Sequence, residues 1–353
     1  MKRVRALAVL SVSVAVIALG GQAFADPAGP STAGTATATS TITTFAHNVN
    51  GLRTTEIPDE SGRRGMNSAV DYTIGRIKGH GDGGSDIVAL TEICLHQAAH
   101  VASKLPGYRA VFAPKRANED RCNDSSPEGV DVSLRGYYGL HENDTPSDDD
   151  YGSAVFVRGP LGRAFSPDLF DHGGADEDFK AACAETTVKN VAVTACSLKL
   201  PSGDGGYQAR VKSTNKLADS FEGRARDRLF VLGGDFNAEP HESEMTPLYR
   251  TRPGGNGYFV EGDQSDEGYY DGRCAPSAGG CRSGESTHPT PPDANNPNKP
   301  RKYDYLFFSD VAGARYDVER LNGNAQCDGP CNYTANIPAG DHAIVTASVG
   351  VVF

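Results

Sequence analysis

The chain has 353 residues and a formal net charge of −11. An acidic chain of this kind lacks the basic footprint of proteins that hold nucleic acid tightly by charge alone, but the balance is compatible with chemistry in which a bound cation links carboxylates to phosphate. After the N-terminus, no stretch is apolar over the roughly 20 residues that a membrane span requires.

At the N-terminus, Lys2, Arg3 and Arg5 precede an apolar stretch from Ala6 to Leu19, and Ala23-Phe24-Ala25 is a small-x-small cleavage site. Residues 1–25 therefore read as a secretion signal, and removing its three basic residues takes the mature charge from −11 to −14. Residues 26–40, made of Ala, Thr, Gly, Ser and Pro, read as a flexible linker. From residue 41 to 353 there is neither an internal repeat nor a change of composition, so this stretch reads as one domain of a secreted, extracellular monomer without a membrane span.

In chain order, Thr41–Phe45 (TITTF) is a short apolar strand that delivers Asn48, with His47 alternating to the opposite face as a packing residue. Asp86–Leu90 (DIVAL) likewise delivers Glu92. Strands are expected at 154–157 and 188–195, while Cys183 and Cys196 flank a segment that a hairpin would suit. Leu229–Leu232 is a buried strand broken by two glycines, after which Asp235 and Asn237 lie two apart and point the same way on extended backbone. In Lys302–Ser309 (KYDYLFFS) an aspartate, Asp304, interrupts an aromatic run. A buried carboxylate expects a partner, and the nearest by role is His342, which with Asp341 enters a final apolar strand running to Val349. The segments 115–150 and 252–301 are rich in Gly, Pro, Asp and Asn and read as long loops that carry substrate contacts. Lys299–Lys302 (KPRK), Arg273 and Arg282 are the local basic groups, read as solvated loop residues. His241 opens HESEM, which lacks the second histidine of a zinc-protease helix.

Eight cysteines in an exported chain point to disulfides rather than zinc. Nearest-neighbour pairing gives 94–122, 183–196, 274–281 and 327–331, one of 105 arrangements that eight cysteines allow.

The ordered set Asn48, Glu92, GDFN at 234–237, YDY at 303–305 and DH at 341–342 resembles the endonuclease/exonuclease/phosphatase superfamily, from about Thr41 to the C-terminus. The resemblance implies a DNase I-like α/β sandwich of two mixed sheets flanked by helices, which agrees with apolar runs that look buried on both faces. It implies a metal-dependent phosphodiesterase in which Asn48, Glu92 and Asp341 hold the metal. That all-oxygen set suits Mg²⁺ or Mn²⁺. In this scheme His342 is the general acid/base oriented by Asp304, Asp235 orients or deprotonates a water, and Asn237 donates to transition-state oxygens. Family members usually carry a histidine in a strand-end Thr-His-Leu between the Glu and GDFN motifs; here the stretch is ACSLKL (195–200), and Lys199 or Ser197 falls there, depending on register. Lys199 would bind phosphate as a point charge. Thr91 stands where the family usually has Gln, and Gly340 where it usually has Ser. A nuclease acting on nucleic acid is the leading expectation. A sphingomyelinase-like phospholipid phosphodiesterase ranks second because the chain has no Trp, and a catalytically impaired binding module of the same fold is the third reading.

Overall fold

The computed structural model describes residues 39–51, 68–115, 122, 151–170, 179–250, 255–265, 282–288, 301–311, 317–326 and 342–352. The expected signal, nearly all of the linker, Asp341, Gly340, Arg273, Lys299, the cysteine pairs 274–281 and 327–331, and most of the two long loop segments lie outside the described residues.

Two sheets face each other. The first has six strands in the order β12-β13-β1-β2-β4-β3: β1 Thr39–Asn48, β2 Ile87–Cys94, β3 Tyr108–Lys115, β4 Tyr151–Arg158, β12 Asp317–Gln326 and β13 Ile344–Val352. The second has the order β10-β11-β9-β8-β7-β5: β5 Leu161–Phe165, β7 Phe179–Val188, β8 Val191–Lys199, β9 Leu229–Asp235, β10 Phe259–Glu261 and β11 Asp304–Ser309. A short β6, Asp168–Phe170, pairs with β7. Each sheet is mixed in the same way. A central parallel pair, β1 with β2 and β8 with β9, is flanked by antiparallel neighbours. Helices α1 Ser68–Gly79 and α2 Leu95–Lys104 cover the outer face of the first sheet, and α3 Tyr207–Glu222 covers that of the second.

The period-2 alternation of strand side chains explains the layers. Ile42, Ala46, Ile87, Ala89, Val155, Ala182, Val193, Ala195, Leu229, Val231, Leu306 and Val345 form one buried layer between the sheets. Their neighbours Phe45, Val88, Leu90 and Phe156 pack outward under α1 and α2, while Phe230, Leu232, Tyr305 and Phe307 pack outward on the second sheet. The inner layer is mostly Val and Ala, so the sheets approach closely. A Cβ added at Gly233 would sit 2.7 Å from the Ala89 Cβ of the opposite sheet. At Gly234 the backbone has φ +137°, and an added Cβ would stand 2.0 Å from the Leu198 carbonyl oxygen. The two glycines that end the apolar run Leu229–Leu232 are thus demanded by sheet contact and by backbone conformation.

Several expected boundaries move. The run 188–195 is not one strand: Lys189 and Asn190 turn with φ 48° and 70°, and Val188 pairs with Val191 across a two-residue hairpin joining β7 to β8. β1 begins at Thr39, two residues before the expected domain start. Strands β3, β5, β6, β10 and β12 lie where no strand was expected, because their sequences mix polar and apolar residues without a clean run. Cys183 and Cys196 sit directly opposite each other in the β7–β8 ladder and are disulfide-bonded with Cα atoms 4.2 Å apart, and Cys94 is bonded to Cys122 with Cα atoms 5.8 Å apart.

Candidate active site at the strand ends

The inner layer is mostly apolar, Thr44, Thr186 and Ser197 apart, and turns mostly charged at its last rung at one end of the sandwich. Asn48 follows Ile42 and Ala46 on the inner parity of β1. Asp235 follows Leu229, Val231 and Gly233 on β9, Lys199 follows Val193 and Ala195 on β8, and Asp304 precedes Leu306 and Phe308 on β11. Lys199 and Asp304 both pair with Asp235 in the ladders on either side of β9. Glu92 reaches the same place by a different route. Simple alternation would send it outward with Val88 and Leu90. A register shift between Thr91 and Ile93, with Glu92 at φ 54°, turns it into the cleft. Asn50 and Asn237, beside the site, also have positive φ, at 46° and 49°. Left-handed backbone at non-glycine residues is held in place by surrounding structure and gathers at functional sites.

Asn48 is the hub. Its Nδ2 lies 3.0 Å from Glu92 Oε1, 3.0 Å from Asp235 Oδ2 and 3.2 Å from His342 Nε2, while its Oδ1 accepts the Asn50 N–H at 3.0 Å. An amide nitrogen has two protons, so three acceptors share two donors. Asp235 is buried and takes the Asn237 N–H on Oδ1 at 2.9 Å. The Lys199 ammonium contacts Glu92 Oε1 and lies 3.6 Å from Asp235 Oδ2. Asn237 Nδ2 donates to the Leu200 carbonyl at 2.8 Å, tying the end of β9 to the end of β8. Of the two residues that the ACSLKL stretch offers, Lys199 faces the cleft, whereas Ser197 is buried and donates to the Leu90 carbonyl at 2.8 Å. Thr91 Oγ1 is buried and meets no hydrogen-bond partner among the described residues.

His342 stands just before β13. Its Nδ1 lies 2.7 Å from Asp304 Oδ2, and its Nε2 lies 4.0 Å from Asp235 Oδ2. The carboxylate on Nδ1 fixes the tautomer with the proton there, so neutral Nε2 presents a lone pair to the cleft. Asp304 is fully buried. Burial pushes its pKa up, opposed by the His342 imidazole and the Thr287 hydroxyl. Thr287 fastens the pair from behind: its Oγ1 accepts the Tyr303 and Asp304 N–H groups at 2.8 and 3.0 Å, and its carbonyl accepts the Ala343 N–H at 2.7 Å. His47 faces outward, with Nδ1 2.9 Å from Thr73 Oγ1 and Nε2 3.3 Å from the His342 carbonyl.

Two features were missed from sequence. His288, within the segment 252–301 that reads as a long loop, packs its ring edge-on to His342 at 4.6 Å between centroids and lies 5.6 Å from the Tyr303 ring. It sits in a Thr/Pro-rich stretch that carries no signal of this. Two of the basic groups read as solvated, Arg282 and Lys302, are buried instead. Arg282 is buried over the Tyr249 ring and donates through Nε to the Pro240 carbonyl at 2.7 Å. Lys302 is buried between Asp263 Oδ2 at 2.7 Å and Glu261 Oε1 at 3.3 Å. Burial alone would lower the Lys302 pKa, but the two carboxylates outweigh it and hold the ammonium well above its usual range. Lys302→Met leaves both carboxylates buried without their cation and is expected to cost about 3–5 kcal/mol of stability, read by urea denaturation; a loss under about 1 kcal/mol would show the triad to be dispensable.

The sequence profile of the Endonuclease/Exonuclease/phosphatase family matches residues 45–329. The chain belongs to that family. Family members are phosphoester hydrolases, generally dependent on divalent cations. Solved structures agree on the fold. A structure of truncated Caenorhabditis elegans TDP2 is 13% identical with a TM-score of 0.55, covering 88% of this chain and 97% of its own. An endonuclease/exonuclease/phosphatase family protein from Bacteroides thetaiotaomicron is 17% identical with a TM-score of 0.53, covering 90% and 96%. The mannosyl-6-phosphatase Bt3783 of Bacteroides thetaiotaomicron VPI-5482 is 17% identical with a TM-score of 0.51, covering 88% and 100%. No curated protein matches in sequence.

The donor chemistry of the endonuclease/exonuclease/phosphatase site suits a hard cation. Glu92 is partly exposed to the cleft and already draws an ammonium and an amide N–H to one oxygen. Asp235, Asp304 and His342 also offer ligand atoms within 4.8 Å of one another. The Asp304 oxygen and His342 nitrogen that bond each other are in use, however, and a cation there would have to part them. Asn48 turns its nitrogen to the cleft, so ligation through its oxygen requires the amide to exchange its bond with Asn50.

Proposed function

We propose that this family member is a secreted, Mg²⁺- or Mn²⁺-dependent phosphodiesterase acting on nucleic acid. The observation that carries this reading is the Asp304–His342 pair, held against Asp235 and the Asn48–Glu92 pair at the mouth of the sandwich. Glu92 would hold the cation, with Asn48 and Asp341 completing an oxygen set. A cation so held supplies charge neutralisation on the phosphoryl oxygens and on the leaving oxygen. The protein's own residues do the rest. Asp235 orients the attacking water, and His342 takes its proton at Nε2 while Asp304 steadies the resulting imidazolium. Asn237 has a second amide proton for a developing oxyanion beyond the one given to Leu200. Lys199 places a positive charge beside the phosphate where relatives usually have histidine.

Nucleic acid is favoured over phospholipid because Tyr207 is the one large hydrophobic side chain exposed among the described residues, whereas entry into a lipid interface needs a cluster of them. The test is hydrolysis of DNA, RNA, sphingomyelin and bis-p-nitrophenyl phosphate by the purified mature protein with Mg²⁺, Mn²⁺ or EDTA. Folded protein inactive on all four with either metal would return the chain to the binding-module reading. Within the reading, Lys199→Arg keeps most activity and Lys199→Ala lowers kcat/KM about tenfold or more. An unchanged Lys199→Ala enzyme would remove the lysine from the site's chemistry.

A further inference from the structure

Glu92 reaches the cleft on a backbone that glutamate rarely adopts: φ is 54°, and the ladder with β4 passes from Thr91 to Ile93 without it. A non-glycine residue in this region persists only where its surroundings over-determine it. Ahead of Glu92, the Thr91 carbonyl accepts the Val49 N–H at 3.0 Å, which ties that peptide to the end of β1. Behind it, Cys94 is bonded to Cys122 and leads into α2. Gly51, three residues after Asn48, lies against the turn itself. A Cβ there would stand 2.5 Å from the Glu92 carbonyl oxygen, 3.2 Å from the Ile93 Cα and 2.4 Å from Gln97 Oε1. The chain after β1 thus rests on the Glu92–Ile93 peptide more closely than a residue with a side chain allows. Gln97, in the first turn of α2 and fully buried, fastens this contact. Its Oε1 accepts the Cys94 N–H at 3.0 Å, and its Nε2 donates to the Gly51 carbonyl at 3.1 Å. An amide carries acceptor and donor on one side chain, so a single residue joins the segment that delivers Asn48 to the segment that delivers Glu92.

We infer that Gln97 is a positioning residue for Glu92, acting with Gly51 as a clamp that keeps the bulge in its left-handed turn and the carboxylate in the cleft beside Asn48. Released, the backbone relaxes toward extended geometry, whose parity turns Glu92 outward with Val88 and Leu90. The effect on metal binding rests on the reading of Glu92 as the cation's ligand, whereas the clamp itself concerns where the carboxylate sits.

Two variants of the full mature protein test it by different routes. Gln97→Met keeps the length of the side chain and removes both hydrogen bonds. Gly51→Ala sets a methyl against the Glu92 carbonyl with Gln97 in place, and serves where Gln97→Met does not fold. Val101→Ala, which opens a cavity under the same helix, is the control for lost stability. Mn²⁺ affinity, read by electron paramagnetic resonance, is expected to fall about 10–100-fold in Gln97→Met and Gly51→Ala and to stay within about twofold of wild type in Val101→Ala. In metal-free crystals of the two clamp variants, Glu92 Oε1 should leave its 3.0 Å contact with Asn48 Nδ2. Glu92 unmoved in the clamp variants that fold would overturn the inference whatever the metal does, and so would an equal loss of Mn²⁺ affinity in Val101→Ala. A wild-type protein that binds no Mn²⁺, with Glu92 displaced in the clamp variants, keeps the clamp and takes the cation away from the proposed function.

Discussion

Replacing His342 with alanine is expected to lower kcat by about 10²–10⁴, the usual share of general acid–base catalysis, with little change in substrate affinity. The side chain is held on one side by the 2.7 Å bond to Asp304, faces Asp235 and Asn48 on the other and packs edge-on against His288, so its loss removes a proton carrier, and a thermal melt of the variant reads what those contacts add to stability. Asp304→Asn should do nearly as much harm. The amide fits the same space, but its nitrogen can turn toward Nδ1 and force the other tautomer, leaving Nε2 protonated and unable to take a proton. The wild-type rate should carry the ionisation of an imidazole base, and His342→Ala should lack it. A His342→Ala enzyme with wild-type kcat, or with the same ionisation, would remove His342 from the reaction.

Glu92→Gln is the second large effect. The change keeps size and removes one negative charge from the oxygen that Asn48 and Lys199 both approach. If Glu92 holds the cation, Mn²⁺ affinity measured by electron paramagnetic resonance should fall by more than the roughly 10–100-fold that loss of an outer-shell partner costs, and kcat should fall by about 10²–10³. Mn²⁺ binding unchanged in Glu92→Gln would move the cation elsewhere, the trio Asp235, Asp304 and His342 being the next place to look.

What the sequence made legible follows from parity. Apolar runs buried on both faces forecast two facing sheets, and the residue at the end of each run inherits the inner or outer side from its predecessors. Asn48, Asp235 and Asp304 could be placed that way. So could the pairing of Asp304 with His342, since a carboxylate inside an aromatic run needs a partner. Glu92 breaks the rule, because one extra residue in β2 reverses the side it faces, and nothing in DIVALTEIC announces a bulge. Ser197 and Lys199 share a parity; only depth along β8 separates a buried hydroxyl from a cleft ammonium, and depth is set by the register with β9. Lys302 and Arg282 read as solvent-facing because their counter-charges and acceptors, Glu261, Asp263 and Pro240, lie tens of residues away in sequence. His288 had no local pattern at all, since its contact with His342 depends on where Thr287 stitches a loop between two strands.

The division of the cleft between the two sheets has a mechanical consequence. Distances within a sheet, such as Asp304 to Asp235 or Lys199 to Asp235, are ruled by ladder hydrogen bonds and scarcely vary. Distances between sheets, such as Asn48 to Asp235 or Lys199 to Glu92, depend on how two layers rich in valine and alanine sit on each other, pinned by a few polar crossings such as Ser197 to the Leu90 carbonyl and Lys189 to Asp86. A small slip of one layer over the other leaves both sheets whole and every strand paired, yet it detunes each contact that crosses the gap. Asn48, on one sheet with its amide on a carboxylate of the other, is the latch nearest the catalytic groups, so the alignment of the cleft follows the seating of one layer on the other.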